Sequence, residues 1–304
     1  MARLLGPLFV LLWSSGYLVG AVGARQVPPL ALTTWRFLLA GVLLALVALV
    51  TRAPWPRGGR AWRDLVITGV LLQGVQFAGA YLALAAGVSA GLTALVLCLS
   101  PVLVALLSGP VLGEPLGAAG WWGSGLAVLG ALVAGADHLG VGGTPAGLGF
   151  LLLGLVGFAA GTLYQKRAGA AMDLRTGTTV QLLAAAALVA PLAVLTEGGL
   201  PVPTTGVGLA ALLWIALVNS IVGALLLFVL LRRGTGAATS GLLYLVPPVT
   251  AVLAVPLLGE PLALRTVVGL AITLAGVVLV HRDGKLPVSA RLAGTRPAVS
   301  ATRG

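Results

Sequence analysis

Long apolar segments alternate along this chain with short connections that are rich in Arg, Gly and Pro. A helix that crosses the hydrocarbon core of a membrane needs about 20 apolar residues. Ten segments meet that requirement, so the pattern predicts an all-α integral membrane protein with ten transmembrane helices. The predicted spans are Leu4–Ala24, Leu30–Val50, Asp64–Ala86, Ser89–Leu112, Leu116–Ala136, Ala146–Ala168, Thr176–Thr196, Val207–Leu231, Gly236–Leu257 and Leu262–Val280.

The Lys and Arg residues lie almost entirely on one side of these spans. With a cytoplasmic N-terminus, 15 of the 18 cations fall on the inner side, two fall in outer connections, and Arg36 lies inside the second span. Membrane proteins carry their excess of Lys and Arg in cytoplasmic loops. We therefore predict a multi-pass protein of the cell (inner) membrane with both termini in the cytoplasm. The outer cations are Arg25 and Arg265, and the inner ones are Arg3, Arg52, Arg57, Arg60, Arg63, Lys166, Arg167, Arg175, Arg232, Arg233, Arg282, Lys285, Arg291, Arg296 and Arg303.

The two ends of the chain invite other interpretations. Met1-Ala-Arg3 and the apolar run behind it have the outline of a signal peptide that ends near Gly23-Ala24. Its cleavage would delete a span that the charge pattern requires. Residues 282–304 are basic and have no helical periodicity. They predict a disordered cytosolic tail that anionic lipid could hold near the membrane.

Composition excludes several classes of function. Charged residues make up 8% of the chain, against about 25% in soluble domains, so the bilayer is the expected environment. One Cys and two His make a metal cluster implausible. No P-loop, G-x-G-x-x-G or HExxH sequence occurs, so neither ATP hydrolysis, nor an enzyme activity, nor a cofactor is predicted. The net charge of +11 follows from the topology and does not indicate a nucleic-acid partner.

One membrane hairpin occurs twice in the chain, at an offset of 146 residues. When residues 91–134 are aligned without gaps with residues 237–280, 14 of 44 positions are identical. The rare residues coincide too: Pro101 matches Pro247, and two of the only three Glu fall in matching Gly-Glu-Pro-Leu turns. A duplicated membrane unit is the usual framework of a secondary transporter.

The repeat is predicted to be inverted. Each half holds five spans, and because five is odd, the second half enters the bilayer from the opposite side. We assign residues 1–137 to the first five-helix repeat, residues 138–281 to the second, inverted repeat, and residues 282–304 to the tail. Two such halves can exchange outward and inward openings around a site at the midplane.

Four motifs carry a resemblance to a known superfamily. They are Trp13-Ser-Ser-Gly16, Pro29-x-x-x-x-x-Trp35-Arg36-Phe37, Pro101 and the paired Gly-Glu-Pro-Leu turns. These motifs resemble the drug/metabolite transporter superfamily, and most closely its ten-span EamA-type permeases, over residues 4–281. The resemblance implies two five-helix bundles around a central cavity and transport of small metabolites, often outward. The first span lacks the membrane-embedded Glu of the four-span multidrug branch, so proton coupling is not implied.

Arg36 is the only basic residue predicted well inside a span. An Arg at the centre of the membrane costs about 2.5–3.5 kcal/mol on insertion scales. Its distance from the outer boundary near Leu30 places it roughly 9 Å deep. Its side chain either snorkels to the outer surface, with Trp35 as an interface anchor, or faces the cavity and binds an anionic or carboxylate group. Gln181, its counterpart at an offset of 145 residues, is a second candidate for substrate binding.

The third predicted span carries two amides on one helical face. Gly69, Gln73, Gln76 and Ala80 follow one another at steps of four, three and four residues. Amides are costly to leave unsatisfied in lipid. This face therefore contacts either protein, as interhelical glue, or a wet cavity that binds substrate. Asn219 matches Gln73 at an offset of 146 residues and gives the eighth span a similar polar face.

Four aromatic residues lie in spans one, six and nine, which the resemblance implies line the cavity. These residues are Trp13, Tyr17, Tyr164 and Tyr244. Each either packs between helices or covers the apolar part of a substrate. Tyr244 precedes Pro247 by three residues, and a helix irregularity there would free backbone carbonyls for substrate.

Proline and glutamate residues of the two hairpins are assigned a gating or structural role. They are Pro101, Glu114, Pro115, Pro247, Glu260 and Pro261. Each Glu precedes a Pro that can open a helix, and the helix dipole stabilises an acid at a helix N-terminus. Both Glu lie at predicted interfaces rather than at the midplane, which favours helix capping over a proton relay.

The sequence as a whole predicts a secondary transporter that exports small, amino-acid-like or drug-like metabolites by alternating access. A passive, channel-like facilitator is the alternative, and an intramembrane enzyme lacks the nucleophile or metal set that it would need. The expected partners are a small-molecule substrate and the lipid bilayer, with a coupling proton or ion as an option, in a monomer or a homodimer.

Overall fold

The computed structural model describes residues 2–113, 116–135, 144–168, 173–223, 225–226, 230 and 242–282. Within those residues the chain is helical and contains no β-strand. We number the helices α1 (Ala2–Ala24), α2 (Pro29–Val50), α3 (Gly59–Ala85), α4 (Ala90–Leu112), α5 (Ala118–Gly135), α6 (Pro145–Ala168), α7 (Leu174–Glu197), α8 (Gly206–Gly223), α9 (Val246–Leu258) and α10 (Leu264–Arg282). Helices α1–α5 form the first half and α6–α10 the second half.

The helices have the length and surface of membrane spans. Seven of them, α1–α4 and α6–α8, are long and apolar enough to cross a membrane, and the apolar helices α5, α9 and α10 are shorter. Large apolar side chains lie on the outside, with Val50 83% and Leu195 80% exposed. Lipid rather than water suits such a surface. The predicted all-α, multi-pass membrane fold is confirmed to this extent.

Helices of the first half pack mainly against helices of the second half. α5 packs along α10, α2 along α7, α3 against α6 and α7, α1 against α8 and α9, and α4 against α9 and α6. The largest buried apolar cluster joins both halves through side chains such as Leu32, Tyr81, Leu95 and Leu151. The core of the molecule therefore lies between the halves, and the polar residues of interest are set into it.

Helices α5 and α10 approach so closely that their backbones touch. A methyl group built at Gly123 would lie 2.7 Å from the Gly276 carbonyl oxygen, and one built at Gly130 would lie 2.6 Å from the Gly269 carbonyl oxygen. Gly123 matches Gly269, and Gly130 matches Gly276, at the offset of 146 residues. The repeat therefore converts one of these contacts into the other. Neither helix has room for a side chain at these four glycines.

Helices α4 and α9 have matching turns. α4 is broken between its segments Ala90–Leu97 and Ser100–Leu112, and α9 begins at Val246 after a similar turn. In both turns a peptide N–H donates to the carbonyl three residues earlier: Leu99 N to the Val96 oxygen at 3.0 Å, and Leu245 N to the Leu242 oxygen at 3.1 Å. Pro101 and Pro247 follow two residues after these donors and supply no N–H of their own. The irregularity predicted near Pro247 is present, with a counterpart in α4.

Helices α3 and α8 each contain a wider, π-helical segment. These segments are Val70–Val75 in α3 and Trp214–Gly223 in α8. They hold Gln73 and Asn219, the two amides that match at an offset of 146 residues. Wide turns of this kind occur frequently at functional sites. No feature of the hydrophobic pattern had predicted them.

Two carboxylates bind helix N-termini of the opposite half. Glu197, the last residue of α7, accepts hydrogen bonds from the Leu30 and Ala31 N–H groups of α2 at 2.9 and 2.8 Å. Glu260, between α9 and α10, accepts one from the Ala90 N–H of α4 at 3.0 Å. These bonds satisfy donors that a helix cannot satisfy itself. We call this end of the bundle the α1–α2 end, and the charge pattern predicts that it is the outer one.

Candidate functional site

Arg36 is buried where α2, α3 and α8 meet. The residue is 4% exposed. Its Nε donates to Ser220 Oγ at 2.9 Å, and its Nη1 donates to the Tyr81 hydroxyl oxygen at 2.7 Å. The Phe77 ring centroid lies 4.0 Å from the guanidinium carbon, and the Phe37 ring centroid lies 5.6 Å from it. The guanidinium therefore joins the two halves and is surrounded by aromatic rings.

The charge of Arg36 has no carboxylate partner among the described residues. A buried ion without a counter-charge carries a desolvation penalty of several kcal/mol, which hydrogen bonds and ring contacts offset only in part. Both observed hydrogen bonds point into the protein. A guanidinium held in this way lies inside the bundle, whereas snorkelling would place it at the outer surface.

Local sequence features allow three helices to converge here. A methyl group at Gly20 of α1 would lie 2.6 Å from Cε1 of Tyr81, so only glycine leaves room for that ring. In the wide turn of α8, the Ser220 hydroxyl donates to the Ile215 carbonyl, five residues earlier, at 3.0 Å. The Ser220 oxygen can therefore accept from Arg36 while its proton is bound elsewhere.

Asn219, next to Ser220, lies against α1. Its Nδ2 donates to the Leu12 carbonyl at 2.6 Å, and a methyl group at Gly16 would lie 2.7 Å from Nδ2. Its Oδ1 is buried and has no hydrogen-bond donor within the described ranges. The amide nitrogen therefore joins α8 to α1 by a hydrogen bond, whereas the amide oxygen remains able to accept one.

Gln73 and Gln76 lie on α3 in the same region. Gln76 is 6% exposed and Gln73 is half-buried. The described part of the chain gives neither amide a hydrogen-bond partner. Because amides seek partners in an apolar setting, both remain candidates for substrate binding.

The predicted common face of α3 is divided between two neighbouring helices. A methyl group at Gly69 would lie 2.5 Å from the Gln181 Cα of α7, while Gly154 of α6 packs against the Gln76 carbonyl and the Ala80 nitrogen. The π-helical segment between Gly69 and Gln76 changes the angular spacing that a regular α-helix would give. Gln181, which is buried, thus belongs to the α3–α7 contact.

Two of the predicted aromatic residues lie on α1. Trp13 packs beside Gly223 of α8, where a methyl group would lie 3.8 Å from Cε3 of the indole. Tyr17 packs against the buried cluster that contains Tyr81. The structure therefore places Tyr17 against the cluster shared by both halves and Trp13 beside α8.

The other two predicted aromatics lie elsewhere. Tyr244 is half-buried in the turn before α9. It matches Cys98, in the corresponding turn of α4, at the offset of 146 residues. Tyr164 donates to Asp64 Oδ1 at 2.9 Å, and Arg63 binds the same carboxylate. Asp64 precedes Tyr81 by 17 residues on α3, or about 25 Å along the helix. Tyr164 is therefore remote from Arg36.

The end of the bundle that holds Asp64 is rich in cations. Thr176 Oγ1 donates to the Pro54 carbonyl at 2.8 Å, which joins the start of α7 to the connection between α2 and α3. Beside it, Arg175 donates hydrogen bonds to Asp173, and this pairing holds the pKa of Asp173 below its usual value. We call this the α2–α3 end, which the charge pattern predicts to be cytoplasmic.

The residues assigned a gating role fall at turns and helix ends. Pro101 is half-buried and Pro247 is buried, just after the turns of α4 and α9, and Pro261 is exposed. Glu260 caps α4 in the other half rather than α10, the next helix along the chain. Glu114 and Pro115 lie outside the described residues.

Sequence reasoning missed two members of the Arg36 site, Phe77 and Tyr81. They follow Gln73 at steps of four residues, a spacing that places side chains along one face of a helix. That spacing was the available signal. In the sequence both residues look like ordinary apolar packing, and only the fold brings the Arg36 guanidinium of α2 against them.

Comparison with known proteins supplies a family. The model of the EamA-like transporter family matches residues 1–136 and 145–282. An uncharacterized transporter of Bacillus subtilis, YvbV, is 28% identical over 95% of this chain and 94% of its own length. The uncharacterized inner membrane transporter YedA of Escherichia coli is 28% identical over 91% of this chain and 90% of its own length.

A solved structure is similar in fold. That crystal structure is 22% identical in sequence and superimposes with a TM-score of 0.63, covering 91% of this chain and 94% of the other chain. At that identity the likeness bears on the fold alone.

Proposed function

This chain belongs to the EamA-like transporter family, and we propose that it is a secondary carrier that exports small metabolites by alternating access. Membership makes it a multi-pass membrane transporter with a small-molecule substrate. The proposal adds three elements: two inverted five-helix repeats, a cargo with an anionic group, and an outward direction. The direction is taken from the resemblance to EamA-type permeases.

The pattern of helix contacts supports the inverted repeat. Under an inverted repeat each helix has a counterpart five positions along, so a contact in one half implies a matching contact in the other. The α3–α6 contact implies α8–α1, and the α4–α6 contact implies α9–α1. All four of these contacts occur. The α2–α7, α4–α9 and α5–α10 contacts map onto themselves. Thr273 Oγ1 donates to the carbonyl of Ala127 at 3.3 Å, and these residues are 146 positions apart. A pseudo-two-fold axis relating the halves accounts for this pattern.

The observation that carries the proposal is the buried Arg36, which has no carboxylate partner in the ranges that the structure describes. It lies on the boundary between α2 and α3 of one half and α8 of the other. An anionic cargo would neutralise it and would contact both halves at once. A site shared by two halves is the position from which a substrate can favour their rearrangement.

Alternating access also needs ends that can open, and the structure offers separable contacts at both. At the α1–α2 end the halves are joined by the bonds of Glu197 and Glu260. At the α2–α3 end they are joined by the Tyr164–Asp64 and Thr176–Pro54 hydrogen bonds. The matching turns of α4 and α9 are the places where these helices can bend.

Locking the α1–α2 end is expected to stop transport. Thr205 Oγ1 donates to Gln26 Oε1 at 2.9 Å, between the start of α8 and the connection after α1. In a Gln26→Cys, Thr205→Cys, Cys98→Ala variant, a short bifunctional thiol reagent should bridge the halves. We expect almost complete loss of transport in proteoliposomes, because this end must open in each cycle, and recovery when a cleavable reagent is reduced.

The Gln26→Cys, Cys98→Ala variant, treated in the same way, is the control and should keep its activity. Transport that continues in fully cross-linked protein would argue against alternating access. Accumulation of cargo against its gradient supports a carrier, whereas flux that only equilibrates, with no dependence on an ion gradient, supports a passive facilitator.

A further inference from the structure

We infer that Tyr81 is a substrate-binding residue that, with Arg36, makes the site selective for a carboxylate over an uncharged group of the same shape. This inference rests on the proposed function, because it requires the cargo to reach Arg36. It adds a residue that the hydrophobic pattern assigned to packing, and it narrows the anionic or carboxylate group expected at Arg36 to a carboxylate.

Arg36 has donors to spare. A guanidinium carries five N–H groups, and the structure uses one on Nε, for Ser220, and one on Nη1, for Tyr81. The N–H groups of Nη2 have no acceptor within the described ranges. They belong to the planar fork that commonly binds the two oxygens of a carboxylate.

Tyr81 has a donor to spare as well. Its hydroxyl oxygen accepts from Arg36 Nη1 at 2.7 Å, and no described residue accepts the hydroxyl proton. The residue is 2% exposed, so water in bulk does not supply the missing acceptor. A buried donor without an acceptor is uncommon in folded proteins and asks for an explanation.

Ser220 shows the contrast. It holds Arg36 as Tyr81 does, by accepting a hydrogen bond from the guanidinium, but its own proton is donated to the Ile215 carbonyl at 3.0 Å. Ser220 therefore positions Arg36 and has no donor left for a ligand. Tyr81 both positions Arg36 and retains one. This difference allows the two roles to be separated by experiment.

The unused donors are adjacent and all of one kind. The Tyr81 hydroxyl lies against Nη1, whose neighbour in the same fork is Nη2. An incoming group therefore meets several donors and no carboxylate from a described residue. A carboxylate is an acceptor on both oxygens, whereas a carboxamide presents one acceptor and an NH₂ group that cannot accept. The site should therefore bind a carboxylate and reject a carboxamide.

The surroundings indicate suitable probes. Phe37 and Phe77 flank the guanidinium, so the remainder of a ligand meets apolar, aromatic surface. Benzoate, phenylacetate and hexanoate fit this description, and benzamide, phenylacetamide and hexanamide are their uncharged counterparts. Thermal unfolding of the purified full-length protein in detergent reports binding, because a ligand of the native state raises Tm.

We expect at least one of the carboxylates, and none of the amides, to stabilise the wild-type protein. Tyr81→Phe keeps the ring and should weaken carboxylate binding by about tenfold or more, the size of one hydrogen bond to a charged group. Ser220→Ala should weaken it by only about threefold, a fraction of one hydrogen bond. Thr51→Val, which removes an exposed hydroxyl that donates to the Val47 carbonyl of its own helix, should not change it. Arg36→Gln should abolish it.

A second variant covers the case in which Tyr81→Phe does not fold. Gly20→Ala keeps tyrosine at position 81 but puts a methyl group against its ring. The hydroxyl must then move, and carboxylate binding should weaken by a similar factor. Weakened carboxylate binding in each of these variants that folds supports the inference.

Other outcomes overturn it in distinguishable ways. Unchanged binding in Tyr81→Phe, or equal losses in Tyr81→Phe and Ser220→Ala, would reduce Tyr81 to packing or positioning and leave the anion site intact. Unchanged binding in Arg36→Gln would remove the proposed anion site itself. If no carboxylate stabilises the wild-type protein, or if the amides stabilise it equally, both the role of Tyr81 and the anion site at Arg36 are contradicted.

Discussion

Replacing Arg36 by Gln is expected to abolish transport of an anionic cargo while leaving the protein folded. Truncating one partner of a buried, hydrogen-bonded charge pair costs about 2–5 kcal/mol, or about 30-fold or more in affinity. Because the cargo supplies the other charge, that cost should appear in kcat/KM. The fold itself should not suffer, since the empty protein loses a buried charge that has no carboxylate partner in the described part of the chain.

Two measurements check this expectation. Uptake into proteoliposomes should use the carboxylate that stabilises the wild-type protein most strongly, and thermal unfolding of the empty variant should give a Tm equal to or above that of the wild type. Arg36→Lys is the matched control. It keeps the charge but loses the planar fork, so it should retain part of the activity. Unaltered uptake by Arg36→Gln would return Arg36 to a purely structural role.

Adding one methyl group to α10 at Gly276 is expected to destabilise the protein, whereas adding one to α5 at Gly125 should not. The Gly276 methyl would lie 2.5 Å from the Gly123 carbonyl oxygen, so the two helices must separate. Strain of this kind costs roughly 1–3 kcal/mol. Gly125 has no atom within 4 Å of such a methyl, and Ala there should stabilise the helix by about 0.5–1 kcal/mol.

The same Gly→Ala change should therefore lower the free energy of unfolding at Gly276 and raise it at Gly125, although the two helices pack together. Thermal or denaturant unfolding in detergent measures it. Gly123→Ala should behave like Gly276→Ala, because the repeat makes the contact twice. If Gly276→Ala were as stable as Gly125→Ala, the close α5–α10 approach described here would be wrong.

Much of the architecture could be predicted from the sequence because it rests on simple constraints. Hydrocarbon thickness sets the length of a span, so the apolar segments coincide closely with the helices that the structure describes. Proline lacks an N–H group, so the irregularity before Pro247 was predictable from its position alone. The coincidence of rare residues at one offset indicated the duplication, and the contact pattern supports the inverted arrangement that parity implies.

The site could be predicted only in part, because its members meet through tertiary contacts. Arg36 stood out because a charge in a span is rare. Tyr81 and Phe77 gave no such signal, since an aromatic residue in an apolar helix is usually packing. The wide turns around Gln73 and Asn219 depend on how α3 and α8 fit their neighbours. Glu260 was expected near a helix N-terminus, but the sequence could not tell that this terminus belongs to the opposite half.

Alternating access as proposed requires two copies of one unit that cross the membrane in opposite directions. Leu116 and Leu262 are matching residues, each in the turn of its hairpin, and antiparallel copies must place them in different compartments. The direct test introduces a single cysteine at each position in a Cys98→Ser background and applies a membrane-impermeant thiol reagent to intact cells. The account predicts that Leu262→Cys is labelled from outside and Leu116→Cys only after the cells are permeabilised. Labelling of both from the same side would contradict it.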